Sequence, residues 1–355
     1  MPCLTDMNQP VKSNRNAELD FLGGLIMLQI IFLHVSLTYT NVTWIGKFYK
    51  IWEYTLPCLA WFFFKGGMFY KNKEIHTVLS GCLHKLWIPF AVFLCLGIAS
   101  QIVIDQHIIS SMGWRKWLLD NAKQLLLFGV AGIDGPIWYL IVFSGIKITY
   151  SYLRDKLAMK PQSIMLISFI IAFLLWYVFR ERNYIFWIGS ITCNLIFFAC
   201  GDWLRKLQYG RIIMAASLVI VIGLACMHIE YLSLRTNGGW QEYSVHGYIL
   251  SYVLVLASIF FVDNLVTFIP KKITSTSFIT RIGRQSMSWF LLHHFILTWS
   301  VYFLGLASIE KSDVWAPAIS LIAIFTLTPL IEKLLLRYIP WSLGATSSKQ
   351  SDYLP

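Results

Sequence analysis

Ten stretches of this chain are long and apolar enough to cross a lipid bilayer, and no other feature constrains its fold as strongly. A helix rising about 1.5 Å per residue needs roughly 20 mostly apolar residues to span a hydrocarbon core of about 30 Å. Such runs recur at Phe21–Tyr39, Glu53–Tyr70, Leu86–Ile104, Pro136–Leu153 and Ile164–Phe179. They continue at Ile185–Leu204, Ile212–Ile229, Val245–Val262, Ser286–Leu304 and Ala316–Leu336. Only 13% of the 355 residues are charged, where soluble domains run at about 25%. In hydrocarbon each backbone polar group must be satisfied within the protein. The expected class is therefore all-α, a polytopic membrane protein of about ten transmembrane helices.

The net charge of +11 is not a nucleic-acid footprint, because the basic residues lie in loops and favour one side. With the N-terminus placed in the cytoplasm, inner segments hold 18 of the 29 Lys and Arg residues, including Lys71, Lys73, Lys85, Arg154, Lys271 and Lys272. Outer segments hold nine, and Lys65 and Lys147 fall inside spans. An inner excess of that size predicts both termini in the cytoplasm. Residues 1–16 read as a polar N-terminal segment without the features of a signal peptide, 17–341 as the transmembrane domain, and 342–355 as a disordered tail. Met112–Leu127 mixes Trp114, Trp117, Leu118, Leu125 and Leu126 with Arg115, Lys116, Asp120 and Lys123, the pattern of an amphipathic helix at the outer interface, inert or a lid. The seven cysteines show no zinc-type spacing, so no metal is predicted. No internal repeat supports an inverted-repeat transporter.

Ionisable residues inside spans are costly and normally face a protein interior or a water-filled cavity. His34 lies fourteen residues past Asp20, about 21 Å along its helix. Gly23, eleven residues earlier, returns to nearly the same face. His293 lies nine residues past Arg284, about 14 Å deep, so both imidazoles fall near the middle of the bilayer. His294 points about 100° away from His293, and only one of that pair is expected to face a shared cavity. A buried imidazole serves equally as a satisfied packing group, as a general base or as a nucleophile. Lys65, six residues inside Lys71, either snorkels to the cytoplasmic surface or holds an anion at the inner mouth. Gly66 and Gly67 beside it admit a ligand or a helix. In GIDGPIWYL, Gly132 to Leu140, Asp134 suits a helix cap and Trp138 an interfacial anchor; an acceptor site is the alternative.

The segments ELDFLGGLIMLQIIFLH, LPCLAWFFFKGGMFY, LHKLWIPFAVF, GPIWYL, NLIFFACGDWLRK and IGRQSMSWFLLHHFIL stand in the order seen in acyltransferase family 3, and the chain resembles that family over most of its length. These are integral-membrane acyltransferases that modify bacterial surface polysaccharides and related acceptors. His34 matches the family's early histidine, His293 its late one, and Trp138 the tryptophan of its fourth-span motif. Three positions depart from the pattern. Gly23 stands where a basic residue is usual, Gly66-Gly67 where a serine-glycine pair is common, and Cys82 with Lys85 where the family carries a basic pair.

The resemblance implies an enzyme of the bacterial cytoplasmic (inner) membrane. It would move an acyl group, with acetyl the expected one, from acyl-CoA to a hydroxyl of a surface polysaccharide or its lipid-linked precursor. The expected partners are thus acyl-CoA, the surface polysaccharide or lipid-linked glycan, and the lipid bilayer. Acyl-CoA, expected as acetyl-CoA, is a co-substrate and no bound cofactor is implied. His34 and His293 are the expected catalytic residues, Lys65 and Lys85 the donor-binding residues, and Asp134 and Trp138 the acceptor-site candidates. Lys65 would replace the charge missing at Gly23. A permease for a lipid-linked sugar and a catalytically silent scaffold of a polysaccharide-synthesis complex are the readings from other classes.

Overall fold

The computed structural model describes residues 16–53, 56–129, 131–133, 135–179, 186–205, 210–229 and 244–345. Among them every regular element is helical. In chain order these are α1 (Ala17–Thr38), α2 (Thr43–Glu53), α3 (Cys58–Met68), α4 (Ile75–Cys82), α5 (Ile88–Ile104) and α6 (Gln106–Met112). Next are α7 (Trp114–Phe128), α8 (Trp138–Ser151), α9 (Pro161–Phe179), α10 (Phe186–Leu204) and α11 (Arg211–Cys226). The last are α12 (Val245–Leu265), α13 (Lys271–Thr276), α14 (Phe278–Arg284), α15 (Ser286–Leu306) and α16 (Ala316–Tyr338). Among the described residues seven helical stretches are long and apolar enough to cross a membrane, one of them the continuous run Ile75–Ile104 through α4 and α5. The remaining expected spans are the shorter α3, α8 and α11.

Burial sorts the helices into an inner group and a lipid-facing shell. Along α1 and α10 the side chains are mostly buried, although both segments are apolar on every face. On α9, α11 and α16, Leu166, Val219, Ile322 and Leu330 remain exposed, as expected where hydrocarbon replaces water. The apolar side chains Leu118, Leu119 and Leu126 of α7 are also exposed, which suits an interfacial position.

Two close crossings fix the inner group, and glycine makes each possible. A Cβ on Gly24 of α1 would run into the Ile279 carbonyl of α14, and one on Gly283 into that of Asp20. Gly67 of α3 and Gly201 of α10 stand in the same relation to the carbonyls of Phe198 and Phe64. Small residues let backbones approach in this way where no hydrophobic force drives helices together. Asp20 also pairs with Arg284 at 3.4 Å, fastening α1 to the end of α14. On the predicted cytoplasmic side the GDWLRK end of α10 is braced through Asp202. Its carboxylate accepts from Tyr150 Oη at 2.6 Å and lies 3.6 and 3.4 Å from Arg154 and Arg205.

The second span differs from its sequence expectation. Glu53–Tyr70 is not one helix: α2 ends at Glu53 and α3 begins at Cys58, after Pro57. Proline removes a backbone donor and disfavours helix in the residue before it, so the run breaks there. Gln29 of α1 satisfies the exposed ends. Its Nε2 donates to the carbonyls of Trp52 and Leu56 at 3.1 and 3.0 Å, and its Oε1 accepts from Cys58 N at 3.1 Å. A broken helix is tolerated at membrane depth only with such protein partners.

Candidate active site

His34 lies one turn before the end of α1, and His293 and His294 lie in the first half of α15. The packing of these helices brings three imidazoles together. The His34 ring centre is 5.2 Å from that of His293 and 5.2 Å from that of His294, and the latter two are 6.3 Å apart. His293 is fully buried, while His34 and His294 are half-buried. The 100° between adjacent residues does not exclude His294; the three ring centres form a triangle, with each of the pair 5.2 Å from His34.

The hydrogen bonding of His293 defines its tautomer. Nδ1 is 2.9 Å from the Trp289 carbonyl oxygen, which only accepts, so Nδ1 carries the proton. Nε2 then holds a lone pair, and it is buried without a hydrogen-bond partner. Its lone pair can accept a hydrogen bond from an incoming group. His294 lies by the turn at Gly135, on the predicted outer side, where an added Cβ would sit 3.9 Å from its Cε1.

A cavity of about 280 Å³ runs between α1, α3, α8 and the α14–α15 junction; the three imidazoles are not among its lining residues, and Phe290 of its wall lies between it and His293. Lys65, Gly66, Phe69, Tyr139, Phe143 and Phe290 are among its walls. Tyr139 and Phe143 stack at 5.5 Å, Tyr139 meets Phe290 at 5.1 Å, and Phe290 lies 6.0 Å from His293. An aromatic wall therefore leads from the cavity to the histidines.

Lys65 reaches the wall from α3. Its Nζ donates to the Leu19 carbonyl at 3.3 Å, lies 4.6 Å from the Trp61 ring centre and interacts electrostatically with Asp263 of α12. A Cβ built on Gly23 would be 3.6 Å from that Nζ. The ammonium group occupies the space into which a side chain at position 23 would grow.

The other sequence candidates are placed differently. Lys85 is exposed in the π-helical turn Leu83–Trp87, and its neighbour Leu86, not Lys85 itself, lines the cavity. Trp138 is buried with its indole against Phe186 at 5.6 Å, edge-on, and beside Tyr139. Asp134 lies outside the described residues. Gly67 serves the crossing with α10, whereas Gly66 lies on the cavity wall. Among the described residues no three His, Cys, Asp or Glu side chains are grouped to hold a metal ion. Sequence reasoning missed His294 and the ring series Phe143, Tyr139, Phe290. A four-residue spacing from Tyr139 to Phe143 was the available signal for the first two of those rings.

Compared with known families, residues 16–333 match the model of a family described as an acyltransferase domain. No curated protein and no solved structure matches the chain.

Proposed function

The chain belongs to this acyltransferase family, and we propose that it transfers an acyl group from acyl-CoA to a hydroxyl of a surface polysaccharide or its lipid-linked precursor. The setting is a bacterial inner membrane, and acetyl is the expected group. Supporting this reading above all is the meeting of His34 with His293, whose Nε2 is buried, unprotonated and unpartnered, one aromatic ring, Phe290, away from the cavity.

In the proposed reaction the thioester carbonyl lies among the imidazoles. His34 either takes the proton of the acceptor hydroxyl, so that oxygen attacks directly, or attacks the carbonyl itself and carries the acyl group to the acceptor. In both routes a C–O bond replaces the C–S bond, and the hydroxyl proton ends on the departing thiol. His293 Nε2 orients the acceptor by accepting a hydrogen bond from its hydroxyl. Lys65 holds the carbonyl or phosphate end of the donor, as does Lys85 at the mouth.

Purified protein in vesicles with acyl-labelled CoA tests the proposal. Thioester cleavage that depends on acceptor and falls about 10²- to 10⁴-fold in His34→Ala is expected. Cleavage unchanged in His34→Ala removes His34 from the chemistry. Acceptor flux without any cleavage replaces the enzyme with a permease. Mass spectrometry of surface glycans from cells with and without the gene identifies the transferred group.

A further inference from the structure

Lys147 has no part in the reading above, yet its surroundings are unusual for a cation inside a span. It is half-buried on α8, one turn beyond Phe143, with Nζ 5.7 Å from that ring centre. The side chains that act on it electrostatically are Cys82, Lys85 and Lys73, and no carboxylate is among them. Among the described residues no ion pair joins Lys73, Lys85 or Lys147 to an acid. Like charges gathered beside a low-dielectric wall repel one another, so the fold must hold them there.

It does so through the π-helical turn. Trp87 Nε1 donates to Ser144 Oγ of α8 at 2.6 Å, one turn from Lys147. On the other side Gly344 closes on the backbone of Lys85 so tightly that an added Cβ would lie 2.8 Å from its carbonyl oxygen. Single turns of π-helix recur at functional sites, and this one presents Lys85 beside Leu86 of the cavity wall.

The same face of α8 connects the lysines with the imidazoles. Lys147, Phe143 and Tyr139 recur every four residues and so lie in one row, about 12 Å long at helical rise. Phe290 and then His293 continue that row at 5.1 and 6.0 Å. An occupant with a polyanionic head, a long narrow arm and a reactive far end matches this layout.

We propose that Lys73, Lys85 and Lys147 seat the phosphate groups of the donor, with its arm along Phe143, Tyr139 and Phe290. This rests on the reading of the donor as acyl-CoA. Lys147 also bears on a departure seen in the sequence: from another helix it acts electrostatically on Cys82, and so supplies a charge near the position where the family pattern has a second basic residue.

Binding measured in nanodiscs of neutral phosphatidylcholine tests the site, with CoA and pantetheine as probes. In Lys147→Met the affinity for CoA falls about tenfold or more, as for loss of one charge-assisted contact. Pantetheine binding stays at the parental value, and Lys147→Arg restores CoA binding. CoA binding by Lys147→Met equal to the parent overturns the proposal, as does an equal loss for both probes. An anionic lipid headgroup offers the same phosphate chemistry. If the parent binds no CoA, but Lys147→Met lowers retention of added phosphatidylglycerol, the seat belongs to lipid and the proposal falls. Lys147-dependent CoA binding without thioester cleavage upholds the seat while refuting the proposed reaction.

Discussion

Replacing Lys65 by methionine keeps the reach of the side chain and takes its charge off the cavity wall. A hydrogen bond to a charged group contributes about 1.5–3 kcal/mol. At about 1.4 kcal/mol per factor of ten, kcat/KM for the donor should fall roughly 10- to 150-fold. Gly23 permits a stricter test. Its virtual Cβ lies 3.6 Å from Lys65 Nζ and 3.4 Å from the Trp61 ring, ordinary contacts that let a side chain start there. In the parent, Gly23→Arg sets a second cation roughly 4 Å from the first, a repulsion of about 4 kcal/mol at an effective dielectric near 20, relieved in part by the length of arginine. In the Lys65→Met background the same arginine meets no ammonium group and returns a charge to the cavity. The effect of Gly23→Arg therefore changes sign between backgrounds, harmful in the first and restorative in the second. Steady-state kinetics with acyl-CoA in proteoliposomes, together with unfolding midpoints in detergent, should be taken on all four proteins. Full activity in Lys65→Met, or an equal loss from Gly23→Arg in both backgrounds, would refute the idea that positions 23 and 65 supply one charge to one place.

Other expectations follow from the packing. Gly24→Val drives a side chain into the Ile279 carbonyl; overpacking of this kind costs about 1–3 kcal/mol or more, read as a lowered unfolding midpoint in detergent or loss of the monodisperse peak. Gln29→Leu strips the partners from the Trp52 and Leu56 carbonyls and the Cys58 N–H. At about 1–3 kcal/mol for each buried group left unpaired, it should lower the unfolding midpoint in detergent, and an unchanged midpoint would refute the bracing role of Gln29. Single cysteines at Lys73 and Lys311 in a background lacking the native thiols should label from opposite sides of sealed vesicles, with Lys73 on the cytoplasmic side; labelling from the same side refutes the topology drawn from the basic residues. His294→Asn should reduce transfer to acceptor more than background thioester hydrolysis, because that ring lies toward the outer turn at Gly135; equal losses would place it at the donor instead.

Depth along a helix was legible in the sequence, and direction was not. A fixed rise per residue put His34 and His293 at compatible levels before any packing was known, and their rings meet at 5.2 Å. The inclusion of His294 depends on the bearing of α1 against α15, which no residue count supplies. The break at Pro57 interrupts what the sequence presents as one span, and the three hydrogen bonds from Gln29 that stabilise the broken ends come from a helix more than 20 residues away in sequence. Such a partnership has no local periodicity to betray it.

If Lys65 and Lys147 supply the charges missing at Gly23 and Cys82, a motif read by position understates what the fold can hold. A binding site needs charge at a point in space, and in a tightly packed bundle several backbones can deliver it. Glycine at position 23 leaves room, and Lys65 from α3 fills it within 3.6 Å. Cys82 is small, and Lys147 of α8 acts on it electrostatically. Both replacements are lysines with long flexible stems, anchored over aromatic rings at 4.6 and 5.7 Å, and cation–π contact of this sort favours a cation at such a half-buried position. A charge lost on one helix and recovered from its neighbour leaves the sum unchanged while moving the residue dozens of positions along the chain. Exchanging the pairs should therefore be tolerated better than removing either member: Cys82→Arg should restore CoA binding in Lys147→Met, and failure of that rescue, in a protein that unfolds at the parental temperature, would mean that the two sites are not equivalent.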